Sequence, residues 1–287
     1  MVVSNFALTS SALARRAPSG GTVVATAAGI VLLAVVVVAV APGLVTGVDP
    51  LQSDPANAYA PPSAAHLFGT DQLGRDVFAR VVHGARSSVV LGIGATLVGL
   101  AGGLMIGIAA GLSRGFVDRV LSRALDILFA FPDLLLAIVA VAILGTGLPT
   151  LLLAIGIGAV PGYARVLRSQ VQVVRNAGYV EASIGLGRPV LSVVLRHVLP
   201  NSAGPLLVLT TIGVGTAIIS GAALSFVGLG ATPPTPEWGL MLAESRNYLS
   251  FAPWLGVWPG VFLAVTVIAI NVVGRHLQRK FVSGAHR

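Results

Sequence analysis

Side chains able to do covalent or metal chemistry are few in these 287 residues, and none falls into a catalytic pattern. There is no cysteine, which excludes disulfides, thiol nucleophiles and thiolate metal sites and leaves the redox compartment open. The five histidines, His66, His83, His197, His276 and His286, form no HExxH pair. With thiolates missing as well, a zinc site is disfavoured. The single GxSxG, at 111–115 (GLSRG), ends an apolar helical run instead of following a strand, so it does not build a hydrolase elbow. A GxxxxGK(S/T) phosphate loop needs a lysine, and the sole lysine, Lys280, is followed by Phe281. The chain cannot hold ATP through that loop, so any ATP-driven work would need its ATPase on another polypeptide.

The elements that must position the remaining residues follow from composition. Hydrophobic residues make up 55% and charged residues only 10%, against about 25% charged in a soluble domain. A mean hydropathy of +0.90, despite 35 glycines and 17 prolines, excludes disorder. What remains is an all-α polytopic membrane protein. Six stretches reach or approach the roughly 20 apolar residues of a transmembrane helix, at 22–41, 88–112, 125–144, 150–166, 202–227 and 254–274. The fourth is short and interrupted by Pro161-Gly162, and the third contains Asp126 and Asp133. The first is expected to be an uncleaved helix, because its apolar run is longer than the roughly 7–15 residues of a signal sequence and Pro42 follows the Ala39-Val40-Ala41 mimic of a cleavage site.

The formal charge of +8 is a record of topology. Arg15, Arg16, the arginines from Arg114 to Arg123, those from Arg165 to Arg196, and Arg275, Arg279, Lys280 and Arg287 flank one set of loops, 14 of the 18 basic residues. Arg75, Arg80, Arg86 and Arg246 lie on the other side among six acidic residues. The positive-inside rule then puts both termini in the cytoplasm. This alternation does not suit a nucleic-acid surface, so no nucleic-acid partner is expected.

In the second span Gly99, Gly103, Gly107 and Gly111 recur every four residues. Such a bare stripe predicts close approach of another helix, within the chain or on a partner subunit. Asp126 and Asp133 share one helix face. Ionisable groups in a span are costly, and the economical reading places both near the cytoplasmic end, neutralised by Arg119 and Arg123.

The longest cytoplasmic segment, 167–201, is apolar enough to bury one face yet too charged to span. A short helix is predicted over 179–186, stopped by Gly187 at positive φ. Pro189 then opens a second helix to about Val198, and Leu199-Pro200 turns the chain into the fifth span. Here Glu181-Ala182-Ser183, Gly187 and Leu199-Pro200 resemble the EAA loop of ATP-binding-cassette importer permeases, with Ser183 in place of the second alanine. Arg188-Pro189 departs from the small polar residues common there.

The resemblance extends to His66 through Asp76 (HLFGTDQLGRD) with Gly84-Ala85-Arg86, to 126–132 (DILFAFP), to 223–230 (ALSFVGLG) and to 233–239 (PPTPEWG). These segments are similar to the C-type transmembrane subunit of dipeptide, oligopeptide and nickel importers. Arg275 stands where that family often has aspartate. The resemblance implies a type I importer permease fold, with no enzymatic activity in this chain. Its implied organisation is an N-terminal tail over 1–21, a first helix over 22–41 and an extracytoplasmic segment over 42–86. A five-helix permease domain over 87–276 and a C-terminal tail over 277–287 complete it. Glu181, Ala182, Ser183 and Gly187 would dock on the ATPase, with Arg196, His197, Leu199 and Pro200 supporting the turn.

The implied machine sits in the bacterial cytoplasmic membrane. It pairs this subunit with a homologous second permease, one or two ATPase subunits and an extracytoplasmic solute-binding protein facing 42–86 and 228–253. No cofactor would be bound by this chain, ATP and magnesium being used by the ATPase subunits. A dipeptide or oligopeptide is the expected cargo, and nickel, haem or another small solute is the alternative. A secondary transporter would need matched broken helices, of which only Pro161-Gly162 is visible, and a membrane scaffold is the other rival.

Overall fold

The computed structural model describes residues 20–202 and 204–284. Arg15, Arg16, His286 and Arg287 lie outside the described residues, as do the side chains of Asp133 and Lys280. The described residues form eleven α-helices: α1 (Gly20–Val40), α2 (Val77–Leu112), α3 (Phe116–Phe129), α4 (Asp133–Leu144), α5 (Leu148–Arg175), α6 (Gly178–Gly185), α7 (Val190–Val193), α8 (Leu199–Ser202), α9 (Gly204–Phe226), α10 (Trp238–Ser245) and α11 (Trp254–Gly284). No sheet forms among the described residues, only an isolated bridge between Thr70 and Asp76. Among the described residues five helices are long and apolar enough to cross a membrane, and the pair α3–α4 makes a sixth if it is one span.

That pair corrects the predicted third span. The helix breaks at Ala130-Phe131-Pro132, and its two halves meet at 90°. Proline lacks the N–H for an intrahelical bond and pushes the residue before it towards extended backbone. Asp118, Arg119, Arg123 and Asp126 also make α3 amphipathic, whereas α4 is apolar throughout after Asp133. The second span starts at Val77 instead of residue 88, because the Asp76 carboxylate accepts the Ala79 amide at 2.8 Å and caps the helix. The fourth is not interrupted at Pro161-Gly162 and does not end at 166 but continues as one helix to Arg175, so the first part of the predicted cytoplasmic loop is helix.

The centre of the fold is the packing of α2 on α5, and the glycine stripe makes it possible. A Cβ at Gly99 would lie 3.0 Å from the Ala159 Cβ, one at Gly107 2.7 Å from the Ala164 carbonyl oxygen, and one at Gly111 2.7 Å from the Val171 Cβ. At Gly103 it would overlap the Tyr163 Cβ. Gly156 returns the contact from α5, where an added Cβ would lie 2.6 Å from the Val98 Cβ and 2.8 Å from the Ala95 carbonyl oxygen. The partner of the stripe is therefore inside the chain. Without water to drive association, such close van der Waals contact is what holds membrane helices together. Leu91 and Ala95 of α2, Leu151, Ala154 and Ile155 of α5, Ala137 and Val141 of α4, and Ala217 and Leu224 of α9 continue this core. α1 packs against Val77, Val81, Trp258 and Phe262.

Candidate functional site

The loop after α5 is built as helix, glycine, helix. Its first helix, α6, ends in a Schellman motif. Gly187 has φ +80°, its amide donates to the Ile184 carbonyl at 2.9 Å, and the Arg188 amide reaches the Ser183 carbonyl at 3.4 Å. Nothing lies within 4 Å of where a Gly187 Cβ would stand. The glycine is required by its backbone conformation, not by crowding.

Val180 on α6, Val193 on α7 and Val198 are buried in one cluster with Tyr163, Leu167 and Val171 of α5, against which Leu104 and Ile108 of α2 also pack. The loop is rooted in the bundle by three valines. Its other face is open: Glu181 and Ala182 are exposed, as are Ile184, Leu186, Val190 and Leu191, with Leu186 at 83%. Ser183 points inward and its hydroxyl has no partner among the described residues.

Beyond α7 the structure corrects the expected turn at Leu199-Pro200. Residues Val194–Val198 form a widened turn in which the Leu199 amide bonds the Val194 carbonyl, and the chain stays helical through Ser202. A proline inside a helix cannot donate and clashes with the carbonyl four residues back. The widened turn immediately before Pro200 displaces that carbonyl. Arg196 is exposed and His197 half-buried. The His197 ring meets the Tyr179 ring edge-on at 6.3 Å, while the Asn201 amide donates to the His197 carbonyl at 2.6 Å and to the Tyr179 hydroxyl at 3.4 Å. Tyr179 and Asn201, absent from the expected set, are what fasten α6 to the second helix.

Three arginines on α5 organise this end of the bundle. Arg175 donates from Nη1 to the carbonyls of Gly111, Leu112 and Ser113 at 2.9, 3.0 and 3.2 Å, capping the C-terminus of α2 with a cation. Arg175→Gln is expected to cost about 1–2 kcal/mol and to speed hydrogen exchange in the last turn of α2. Unchanged exchange there would show the cap to be idle. Arg168 forks onto Asp118 of α3 at 2.8 and 3.1 Å. Arg165 bonds Asp126 at 2.8 Å and lies 4.1 Å over the Phe129 ring. Asp126 is thus paired from α5, not by Arg119 or Arg123, and Asn271 turns back to the Val267 carbonyl of its own helix.

Between α2, α5 and α9 opens a largely apolar cleft of about 350 Å³. Thr96, Tyr163, Thr216 and Ser220 contribute hydroxyls, and Arg165 with Phe129 closes the end nearer the loop. Tyr163 hydrogen-bonds Thr96, and its hydroxyl occupies the space a side chain at Gly213 would need.

At the opposite end the GTDQLGRD segment spends its charges internally. Asp71 accepts the Leu73 and Arg75 amides at 2.8 and 3.0 Å and the Arg75 Nε at 2.6 Å, with the Arg80 Nε at 3.5 Å. Arg80 continues to Glu244 of α10 at 3.0 Å. Asp76 holds His66 at 2.9 Å besides capping α2. Glu237 caps α10 through the Gly239 and Leu240 amides, both at 2.8 Å, and receives the Ser88 hydroxyl at 3.2 Å. The Trp238 indole N–H, fully buried, donates to the Val81 carbonyl at 2.9 Å. Asp71, Arg75, Arg80 and Glu237 are all nearly inaccessible, so the chemistry-bearing part of these two segments faces inward. Among the described residues no cluster of acidic residues and histidines could hold a metal ion.

Residues 103–286 match the family model described as "Binding-protein-dependent transport system inner membrane component". A glutathione transport system permease protein GsiD of Shigella flexneri serotype 5b (strain 8401) is 46% identical over 217 residues, which cover 76% of this chain and 72% of that protein. The GsiD protein of Escherichia coli O6:K15:H31 (strain 536 / UPEC) is 44% identical over 217 residues, with the same coverage. Among solved structures, the native crystal form of the inward-facing MetNI methionine ABC transporter superimposes with a TM-score of 0.60 at 21% identity, covering 71% of this chain and 97% of that one. An amino acid ABC transporter with histidines gives 0.54 at 17%, covering 70% and 94%.

Proposed function

Since this chain belongs to the family of binding-protein-dependent transport system inner membrane components, and is a permease subunit of an ATP-binding-cassette importer with the all-α fold of that class, we propose that its cargo is a small peptide or peptide-like solute of the glutathione kind. The identity to glutathione permeases over 217 residues supports that cargo. In this reading a homologous second permease completes the path, ATPase subunits holding ATP and magnesium bind at the loop, and a solute-binding protein docks on the opposite face. Both termini lie with the loop on the cytoplasmic side. That orientation rests on the arginines gathered there.

The loop is read as the coupling element, with Glu181, Ala182 and the exposed apolar residues of α6 and α7 received by the ATPase. One observation carries this: the exposed face of α6 is the back of a unit whose valines are locked into α5 and α2. Movement imposed on α6 therefore moves the bundle, and ATP binding and hydrolysis act by shifting the equilibrium between arrangements of the permease pair. Ser183 belongs to this unit as an inward-facing spacer, and Arg196, His197, Leu199 and Pro200 as its second arm.

The test is the reconstituted complex with ATPase and binding protein, assayed for glutathione- or dipeptide-stimulated ATP hydrolysis and uptake. A leucine at the positive-φ position is strained by roughly 1–2 kcal/mol, enough to re-aim α6 while leaving the valines in place. Gly187→Leu is expected to remain in the membrane and lose stimulated hydrolysis. Normal stimulation and uptake in that variant would refute the coupling assignment. Uptake that persists without the ATPase, driven by a proton gradient, would refute the importer reading.

A further inference from the structure

We propose that Arg165 recognises the carboxylate of the transported solute in the cleft between α2, α5 and α9, and that Asp126 is its exchangeable counter-ion. This rests on the peptide-importer reading and adds the chemistry by which the path takes its cargo: a small peptide or peptide-like acid with a free carboxylate.

The cleft, at about 350 Å³, is of the size that encloses a small organic ligand. Among the described residues lining it, Arg165 is the single charged side chain. Three of the lining hydroxyls are already engaged, that of Tyr163 with Thr96. Thr96 donates to the Gly92 carbonyl at 2.8 Å and Thr216 to that of Ile212 at 3.3 Å. The strongest donor offered to a ligand is therefore the guanidinium, with five N–H groups.

The two arginine–aspartate pairs that join α5 to α3 are built differently. Arg168 meets Asp118 through two nitrogens and two oxygens, and their side chains are 29% and 22% exposed. Arg165 meets Asp126 through one nitrogen and one oxygen, and these are 48% and 52% exposed. The first is a closed fork, the geometry of a lasting attachment. The second is a single-point, half-hydrated contact of the kind that contributes little to stability. A solute carboxylate approaching from the cleft can take the fork that Asp126 leaves unused, while Asp126 turns to water. The Phe129 ring, 4.1 Å beneath the guanidinium, keeps its plane fixed through the exchange. Asp118 and Arg168 keep α3 attached meanwhile.

The chain has no cysteine, so Thr216→Cys gives this subunit a single maleimide target on the cleft wall. In the assembled complex, labelling of that site is followed with S-methylglutathione and with its diamide, which has the same shape without carboxylates. The acid is expected to slow labelling several-fold and the diamide to leave it unchanged. Arg165→Gln should raise the half-protecting concentration about tenfold, and Arg165→Lys, which keeps the charge, should recover part of the protection. Asp126→Asn should lower that concentration, because the competitor is gone. A merely structural pair predicts the same sign for the two neutralising variants. Equal protection by acid and diamide, or weakening by both Arg165→Gln and Asp126→Asn, overturns the proposal. Glutathione uptake by the same complex separates the two levels. Uptake with Arg165-independent protection overturns this inference alone, whereas no uptake of glutathione or of di- and tripeptides overturns the peptide reading and the inference with it.

Discussion

Gly103→Leu is expected to cost the fold at least about 3 kcal/mol, the upper end of overpacking penalties, and to leave little intact chain in the membrane. The new side chain meets the Tyr163 Cβ at once, and the Ala164 backbone nitrogen lies 3.0 Å from its first carbon. Neither can yield as the tip of a flexible side chain would, so α2 and α5 must separate. The contacts on either side, at Gly99 and Gly107, then loosen as well, because all belong to one interface. Gly29→Leu is the control. It lies on α1 with nothing within 4 Å of its added Cβ, and it should accumulate and elute as the parent does. Monodispersity and thermal midpoint in detergent measure both. Parental behaviour of the Gly103 variant would mean that the bundle does not depend on this contact.

Asp71→Ala is expected to destabilise the end of the bundle opposite the loop by about 3–5 kcal/mol, the cost of breaking a buried ion network by removing one partner. The loss leaves Arg75 and Arg80, 3% and 1% exposed, sharing Glu244 at 3.9 and 3.0 Å. It also frees the Leu73 and Arg75 amides that shape the turn. A lowered thermal midpoint with faster proteolysis between residues 54 and 76 is the expected signature. Asp71→Asn, which keeps acceptors for the amides, should lose less. If both variants behave as the parent, the cluster is not what holds the segment down.

These residues also mark how far the amino-acid sequence can be read. The spans were legible because lipid imposes length and apolarity on each segment by itself, and Gly187 because its conformation is set within six residues. The partner of Asp126 was not legible. Arg119 and Arg123 are its neighbours along the chain, whereas Arg165, 39 positions on, is its neighbour in space. The link between Arg80 and Glu244 spans 164 positions, so the inward use of GTDQLGRD has no local signature. The break at Pro132 was not legible, because the run over 125–144 is apolar enough to pass as one span. The loop's rooting through Val180, Val193 and Val198 was equally hidden, since any amphipathic segment buries some valines and periodicity does not say against what.

The 36 residues of α2 make a rod of about 54 Å, nearly twice the roughly 30 Å of a hydrocarbon core. Its upper end is riveted by Asp76 and the charges behind it, its lower end by Arg175. An unbroken beam fixed at both extremities has no joint in which a displacement can be absorbed. Pushing on the outer crown therefore tilts the far tip in the same instant, without a relay of side chains passing the message down. If the solute carrier and the ATPase dock at opposite ends as proposed, both would act on one solid member, and the two sides of the membrane would share a single clock.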